Sequence, residues 1–277
     1  MRITLIYATW PDTPFGMTWH KFAESLKSAG LAQRLSDAGH DVEEHVLIAV
    51  GPQAAELRGA FELSGEISKR CRAALESGAF PVVVCGSCAV SSLGVMAGIG
   101  DKRTGILWMD THPDLNTPET TATGLFDGMS VATVLGKCWR HMAADIAGLR
   151  RPGTARDLCL YGARDIDPGE AHFIAANDIP IVRNAAEVIH HLGGCERAYL
   201  HLDMDVHDPA ALRANKYEVP GGPTPDAVRG MLIELAYKLP VSALSVASLD
   251  PDTPDGPLAI AAAISHIQAV CDSRKAA

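Results

Sequence analysis

Gly105-Ile106-Leu107-Trp108-Met109-Asp110-Thr111-His112-Pro113-Asp114 carries an apolar run straight into three metal-binding side chains at alternating positions. Further along, Ala198-Tyr199-Leu200-His201-Leu202-Asp203-Met204-Asp205 repeats the arrangement. A short apolar run that ends at ligand-type residues reads as a buried strand of a parallel sheet, and open α/β sheets bind ligands beyond the carboxyl ends of their strands. Residues i, i+2 and i+4 of a strand share a face, so each cluster presents its carboxylates and imidazole as one convergent set. Carboxylates crowded in this way repel unless positive charge sits between them. Hard oxygen donors with a single imidazole suit Mn²⁺, or another borderline divalent ion, better than an all-sulfur site would.

Outward from these two runs the chain alternates. Strands are expected at 3–8, 41–49, 81–85, 105–109, 158–161, 179–182, 198–202 and 241–246, and helices at 21–38, 65–77, 185–191, 225–237 and 258–270. Thr224-Pro225, a capping residue followed by proline at the first helical position, is the clearest helix start. The pattern predicts an α/β fold with an eight-stranded, mainly parallel sheet covered on both faces. Crossovers are expected to be right-handed, which leaves strand order open. With no repeat, low-complexity tract or linker, residues 1–277 are expected to form one domain.

Bulk properties suit an enzyme of small molecules. Hydrophobic residues make up 47% of the chain and mean hydropathy is +0.08, so folding throughout is expected. A formal charge of −9 without a basic stripe disfavours nucleic acid and anionic membranes as partners. The apolar start, Met1 to Tyr7, is short and soon broken by Pro11 and Pro14, so no signal peptide is read there, and the expected location is cytoplasmic. Seven dispersed cysteines fit a reducing compartment. Only Cys85 and Cys88 are close enough for joint chemistry, and a redox role is disfavoured because the pair is expected to leave a strand rather than open a helix.

Several motifs together resemble those of the arginase (ureohydrolase) family. They are Asp110-Thr-His112-Pro-Asp114-Leu-Asn116-Thr117-Pro118, Thr120-Thr121-Ala-Thr123-Gly124, Gly162-Ala-Arg164-Asp165-Ile-Asp167-Pro168-Gly169-Glu170 and Asp203-Met-Asp205-Val-His-Asp208-Pro209. Leu26-Lys-Ser-Ala-Gly30-Leu, Gly39-His-Asp-Val42 and Pro220-Gly221-Gly222-Pro-Thr224 extend the likeness nearly end to end. The resemblance implies a three-layer α/β/α fold and two Mn²⁺ ions that split a guanidino group. By motif position Asp110 and Asp203 would bridge the ions, Asp114 would complete one shell, and His112 with Asp205 the other. A hydroxide between the metals would attack the guanidino carbon, because two cations bring the pKa of water from 15.7 toward roughly 7. Asp114 would also orient that hydroxide. Asn116, Thr123 and Asp167 match positions that hold an α-carboxylate and α-amino group, which implies an amino-acid substrate. Family members often form trimers or hexamers, so a homo-oligomer is a possible state.

Blander readings compete at single residues. Asp165 and Asp208 read first as turn or cap residues, His201 as a core histidine or one that supports a ligand, and His190, His191 and His207 as surface or loop residues. The two Asp clusters resist such a reading, since burying them without a metal is costly.

Three departures from the family pattern carry specific information. Where the family has Gly-Gly-Asp-His, whose histidine binds the first manganese, this chain has Cys85-Gly86-Ser87-Cys88-Ala89-Val90. Anchoring Gly86 puts Cys88 at the ligand position and anchoring Gly94 puts Ala89 there; the first register is favoured because it supplies a competent ligand. The family's proton-shuttling histidine is replaced by Asp127, which could deliver a proton if burial or nearby charge raised its pKa. The carboxylate that pairs with the guanidinium is replaced by Ser248, unless Asp250 or Asp252 swings in. A hydroxyguanidine, less basic and more readily neutral, suits Ser248 better than a cation does. Within the family this combination resembles the branch that cleaves Nω-hydroxy-L-arginine to hydroxyurea and L-ornithine in antibiotic (D-cycloserine) biosynthesis. The alternatives are a plain arginase, a hydrolase of another guanidino or formimino acid, and a degenerate amino-acid-binding regulatory protein. An NAD-binding protein is disfavoured because no G-x-G-x-x-G follows the first strand.

Overall fold

A computed structural model describes residues 1–11, 18–100 and 102–276, so Pro14 lies outside the described residues. All eight expected strands are present: β1 (Arg2–Thr9), β2 (Asp41–Ile48), β3 (Phe80–Cys85), β4 (Thr104–Met109), β5 (Leu158–Tyr161), β6 (Ile181–Val182), β7 (Arg197–Asp203) and β8 (Val241–Ala247). They form one sheet in the order β2-β1-β3-β8-β7-β4-β5-β6, with every pairing parallel.

Strand parity sorts side chains into two cores. Ile3, Leu5, Tyr7, Val82, Val84, Leu107 and Met109 face one side, while Ile6, Val83, Cys85, Ile106 and Trp108 face the other. On the first side lie α1 (Phe22–Ser28), α2 (Leu31–Asp37), and three later helices described below. On the second lie α3 (Leu57–Glu76), α4 (Cys88–Gly98), α5 (Ser130–Val134) and α6 (Arg140–Asp145). The remaining helices are α7 (Pro168–Ala176), α8 (Ala185–Leu192), α9 (Pro225–Lys238) and α10 (Gly256–Ala276), of which α8, α9 and α10 complete the first layer. The result is the expected α/β/α sandwich.

The helices depart from expectation more than the strands do. The segment 21–38 is two helices rather than one, because Gly30 takes a left-handed φ of +79° between them. Helix α3 begins well before residue 65. Helix α4 is the larger correction: Cys88 opens a helix after all, with Ser87 as its N-cap. All of α4 is buried, so it shows no polar face from which a 3.6-residue period could be read. Among the described residues no helix is long and apolar enough to cross a membrane.

Candidate metal centre

Four adjacent central strands, β3, β8, β7 and β4, end at the same place. Cys88 follows β3, Ser248 follows β8, Asp203 closes β7 with Asp205 in the 3₁₀ turn after it, and Asp110 follows β4. The two Asp clusters organise themselves by one device. Asp110 Oδ1 accepts the backbone N–H of His112 at 2.7 Å, and Asp203 Oδ1 accepts that of Asp205 at 2.8 Å. A carboxylate that turns its own chain two residues on is a local preference of aspartate, and here it bends each strand end so that its next ligand-type side chain faces inward. The loops are then tied across: Thr111 donates its N–H to Asp205 Oδ1 at 3.3 Å and its hydroxyl to the Asp205 carbonyl at 2.7 Å. Arg164 donates to the carbonyls of Gly162, Val206, His207 and Val219.

Two ligand trios result, Cys88 with Asp110 and Asp203, and Asp110 with His112 and Asp205, the donor atoms of each lying within 4.8 Å of one another. Asp110 is common to both. Cys88 Sγ is 3.0 Å from Asp203 Oδ2, and His112 Nδ1 is 3.4 Å from Asp110 Oδ1 and 3.5 Å from Asp205 Oδ2. Asp203 joins only the first trio. Asp114 joins neither; it is 6% exposed in the wall of the cavity above them. Its φ of +52° is left-handed, and its carbonyl receives the N–H groups of Val131 and Ala132 at the start of α5.

The electrostatics call for cations. Burial, then Asp205 and Asp110, push the Asp203 carboxyl well above the usual range. Burial and Asp110 raise Asp205 to about 6, and burial with Asp110 and Asp203 raises Asp114. Burial and Asp203 also drive the Cys88 thiol up. Burial would lower His112, but Asp110 and Asp205 outweigh it and lift the imidazole to about 9. Burial and crowding hold Cys88, Asp114, Asp203 and Asp205 back from their anionic forms and keep His112 protonated, and this donor set fits a pair of divalent ions that would take the place of those protons.

Supporting contacts reach behind this set. His201 is buried, stacks on Trp108 at 3.7 Å and bonds Ser245 Oγ at 2.7 Å through Nδ1, as expected of a supporting residue. His207, expected in a loop or at the surface, is instead fully buried; Nδ1 meets the Met204 carbonyl at 2.9 Å and Nε2 meets His266 of α10 at 3.2 Å. Asp208 is the turn former expected of it, receiving the N–H groups of Ala210 and Gly221.

Above the centre lies a cavity of roughly 230 Å³. On its wall Asn116 Nδ2 donates to Asp167 Oδ2 at 2.9 Å. Asp167 caps α7 in a capping box with Glu170, whose other oxygen accepts the N–H of Leu115 at 2.9 Å. Glu170 therefore clips the Asp114 loop to α7, and the Asp-Pro-Gly-Glu spacing was a readable sign of it. Thr123 lies on the exposed rim, its hydroxyl accepting the N–H of Leu125 at 3.2 Å. Asp127 Oδ1 accepts the Ser87 hydroxyl at 2.5 Å and the Ala89 N–H at 3.0 Å, which places its carboxylate at the N-terminus of α4.

Ser248 is 4% exposed with a left-handed φ of +63° and also lines the cavity. Asn215 Nδ2 donates to its carbonyl at 2.8 Å. Asp250 and Asp252 are occupied elsewhere: Thr18 donates its hydroxyl and N–H to Asp250, and Lys21 pairs with Asp252 at 2.6 Å. Neither carboxylate is part of the cavity wall. Sequence reasoning overlooked Trp19, in the short 3₁₀ helix Trp19–Lys21, and Tyr217, in the loop before Pro220, both of which line the cavity.

Residues 17–270 match the model of the Arginase family. The chain is 25% identical over 205 residues to an arginase of Bacillus subtilis, covering 67% of this chain and 69% of that protein. It is 28% identical over 218 residues to an Nω-hydroxy-L-arginine amidinohydrolase of Streptomyces lavendulae, covering 77% of each. An arginase structure from Bacillus cereus superposes with a TM-score of 0.88 over 98% of both chains at 23% identity.

Proposed function

The chain belongs to the arginase family of hydrolases, and from that premise we propose that it cleaves Nω-hydroxy-L-arginine with water to hydroxyurea and L-ornithine. The observation that carries the substrate is the end of β8. Ser248 faces the cavity where a carboxylate would be needed to pair with a guanidinium, and Asp250 and Asp252 are bound to Thr18 and Lys21. A cationic guanidinium would bury its charge there without a partner from this strand, whereas a neutral hydroxyguanidine needs only hydrogen bonds. The hydroxyarginine amidinohydrolase among the relatives supports the same reading.

We assign the ligand positions to Cys88, Asp110, His112, Asp114, Asp203 and Asp205, and the ions to Mn²⁺. When bound, they supply the Lewis-acid charge that makes water nucleophilic near neutral pH. Asn116 and Asp167, joined to each other, hold the α-amino and α-carboxylate end together with Thr123, and fix the distance from that end to the metal centre. Asp114 orients the attacking water. Ser248 donates or accepts at the hydroxyguanidine. Asp127 delivers the proton that the departing δ-amine of ornithine takes up. The raised pKa values of Cys88, Asp114, Asp203 and Asp205 mean that loading the site releases protons.

The test is a comparison of manganese-loaded protein on Nω-hydroxy-L-arginine and L-arginine with both products identified. Higher kcat/KM on hydroxyarginine is expected; equal or better turnover of arginine rejects the proposed substrate and leaves a plain arginase.

A further inference from the structure

Glu170 is a buried carboxylate with no part in the chemistry proposed above. It is 4% exposed, in the wall of the cavity. A glutamate in a capping box needs one oxygen for the N-cap N–H. Here each oxygen has its own donor: Oε2 accepts the N–H of Asp167 and Oε1 that of Leu115, both at 2.9 Å. One donor opens α7, and the other lies between Asp114 and Asn116.

The Leu115 N–H belongs to a peptide group held from both sides. Its carbonyl, that of Asp114, accepts the N–H groups of Val131 at 3.0 Å and Ala132 at 3.2 Å, while its N–H goes to Glu170. The next N–H along, that of Asn116, donates to the Gly128 carbonyl at 3.1 Å. Such holding suits the left-handed φ of +52° at Asp114, a conformation that costs free energy in an L-residue and persists where the surroundings fix it.

Beside that peptide, α7 also grips the Asn116 side chain. Asn116 Nδ2 donates to Asp167 Oδ2 and Oδ1 accepts the Thr120 hydroxyl, both at 2.9 Å. Thr120 packs on Gly169 of α7, where an added Cβ would stand 3.0 Å from the Thr120 Cβ. These contacts seat α7 on the 116–120 loop, and Glu170 carries the same helix turn onward to the peptide that follows Asp114.

We propose that Glu170 is a positioning residue that sets the spacing between the amino-acid grip and the metal centre, so that a substrate held at one end presents its reacting carbon at the other. The assignment rests on the reading of Asn116 and Asp167 as that grip and of Asp114 as part of the centre. It applies to arginine and hydroxyarginine alike. Spacing matters because a misplacement of about 1 Å costs on the order of 100-fold in rate.

Glu170→Gln keeps the length of the side chain and turns one oxygen into an NH₂ that can only donate. One of the two N–H groups then loses its acceptor. With manganese-loaded protein, the preference for L-ornithine over 5-aminopentanoate, the same chain without the α-amino group, is read by isothermal titration calorimetry. It is expected to fall about tenfold, the scale of one lost hydrogen bond. On whichever of the two substrates the protein turns over, KM should rise as kcat falls. A glutamate that only stabilised the fold would lower the active fraction, reducing kcat without moving KM or the ornithine preference, and that result overturns the proposal. The wild-type preference is read separately: a wild type that binds ornithine no better than 5-aminopentanoate refutes the grip itself, while a preference that Glu170→Gln leaves unmoved refutes Glu170 alone. Should Glu170→Gln fail to fold, Glu170→Asp, with both acceptors on a stem too short to reach both N–H groups, carries the same test.

Discussion

Trp108 donates its indole N–H to Asp110 Oδ2 at 3.0 Å, from a position two residues earlier at the end of the same chain segment. The contact uses the strand's own period: both side chains fall on the α4 side, and Trp108 is clamped there by stacking on His201. With Asp110 Oδ1 already bonded to the His112 N–H, both oxygens of the carboxylate shared by the two trios are oriented before any ion arrives. Trp108→Phe should therefore weaken metal binding by about 10–100-fold, the usual effect of removing a ligand's supporting hydrogen bond. Competition with a metal-sensitive dye measures it. A lower melting temperature with unaltered metal affinity would assign Trp108 to packing alone.

Cys88 tests the other trio. Cys88→Ala removes one donor while Asp110 and Asp203 stay, so metal content after dialysis should drop from near two ions per chain toward one, and Cys88→His should restore it, since imidazole and thiolate both bind divalent ions of this group. Full occupancy in Cys88→Ala would show that the thiol is only a small buried neighbour of Asp203.

What was readable in the chain divides along physical lines. Apart from the edge strands β2 and β6, the strands are buried on both faces and appear as apolar runs bounded by turn residues, so even short β5 was evident. The Asp clusters were legible as ligand-type residues at strand ends, but strand alternation is not what gathers them: β4 ends at Met109 and Asp205 sits in a 3₁₀ turn, and the aspartate turns at Asp110 and Asp203 bring the ligand atoms together and leave Asp114 outside both trios. Helix α4 was not legible, since burial all round erases amphipathic period. His207 looked like a loop residue because one of its burying partners, His266 of α10, is far away in the chain. Trp19, in a 3₁₀ helix, and Tyr217, in a loop, belong to segments tied down by Asp250, Asp252 and Asn215, and no local pattern announces such tertiary straps.

Away from the site, Asp157 offers a pH test. Burial raises its pKa, but Arg103, which donates twice to Oδ1, and the Thr154 hydroxyl on Oδ2 outweigh it and hold the carboxyl below the usual range. A depressed folded-state pKa contributes stability that is present above the unfolded value and lost as pH falls through the folded one. Asp157→Asn should lower stability by on the order of 1 kcal/mol at neutral pH, since Arg103 is partly solvated. The gap from wild type should begin to narrow near pH 4, where an unfolded aspartate takes up its proton, and close only as pH falls through the depressed folded-state value. Thermal melts at both pH values decide: a gap of constant size would mean that the carboxylate's charge plays no part.

Two helix glycines predict opposite signs for one substitution. On α4, a Cβ at Gly98 would meet Cys71 Cβ at 2.6 Å and the Ser68 carbonyl at 2.7 Å, and Gly94 one turn earlier faces Ile67 of α3 as closely. These glycines let α3 and α4 approach backbone to backbone, and α4 carries Cys88 at its first turn. On α9, Gly230 has nothing within 4 Å of an added Cβ. Gly230→Ala should stabilise by about 0.5–1 kcal/mol through reduced freedom of the unfolded chain and better helix propensity. Gly98→Ala gains the same propensity but forces two helices apart, and overpacking of about 1–3 kcal/mol should win. Because the displaced helix carries a ligand, Gly98→Ala should also reduce metal occupancy while Gly230→Ala leaves it intact. Parallel melting curves and metal analysis on the two variants settle it, and stabilisation of both would mean that α3 can give way to a methyl group without disturbing the centre.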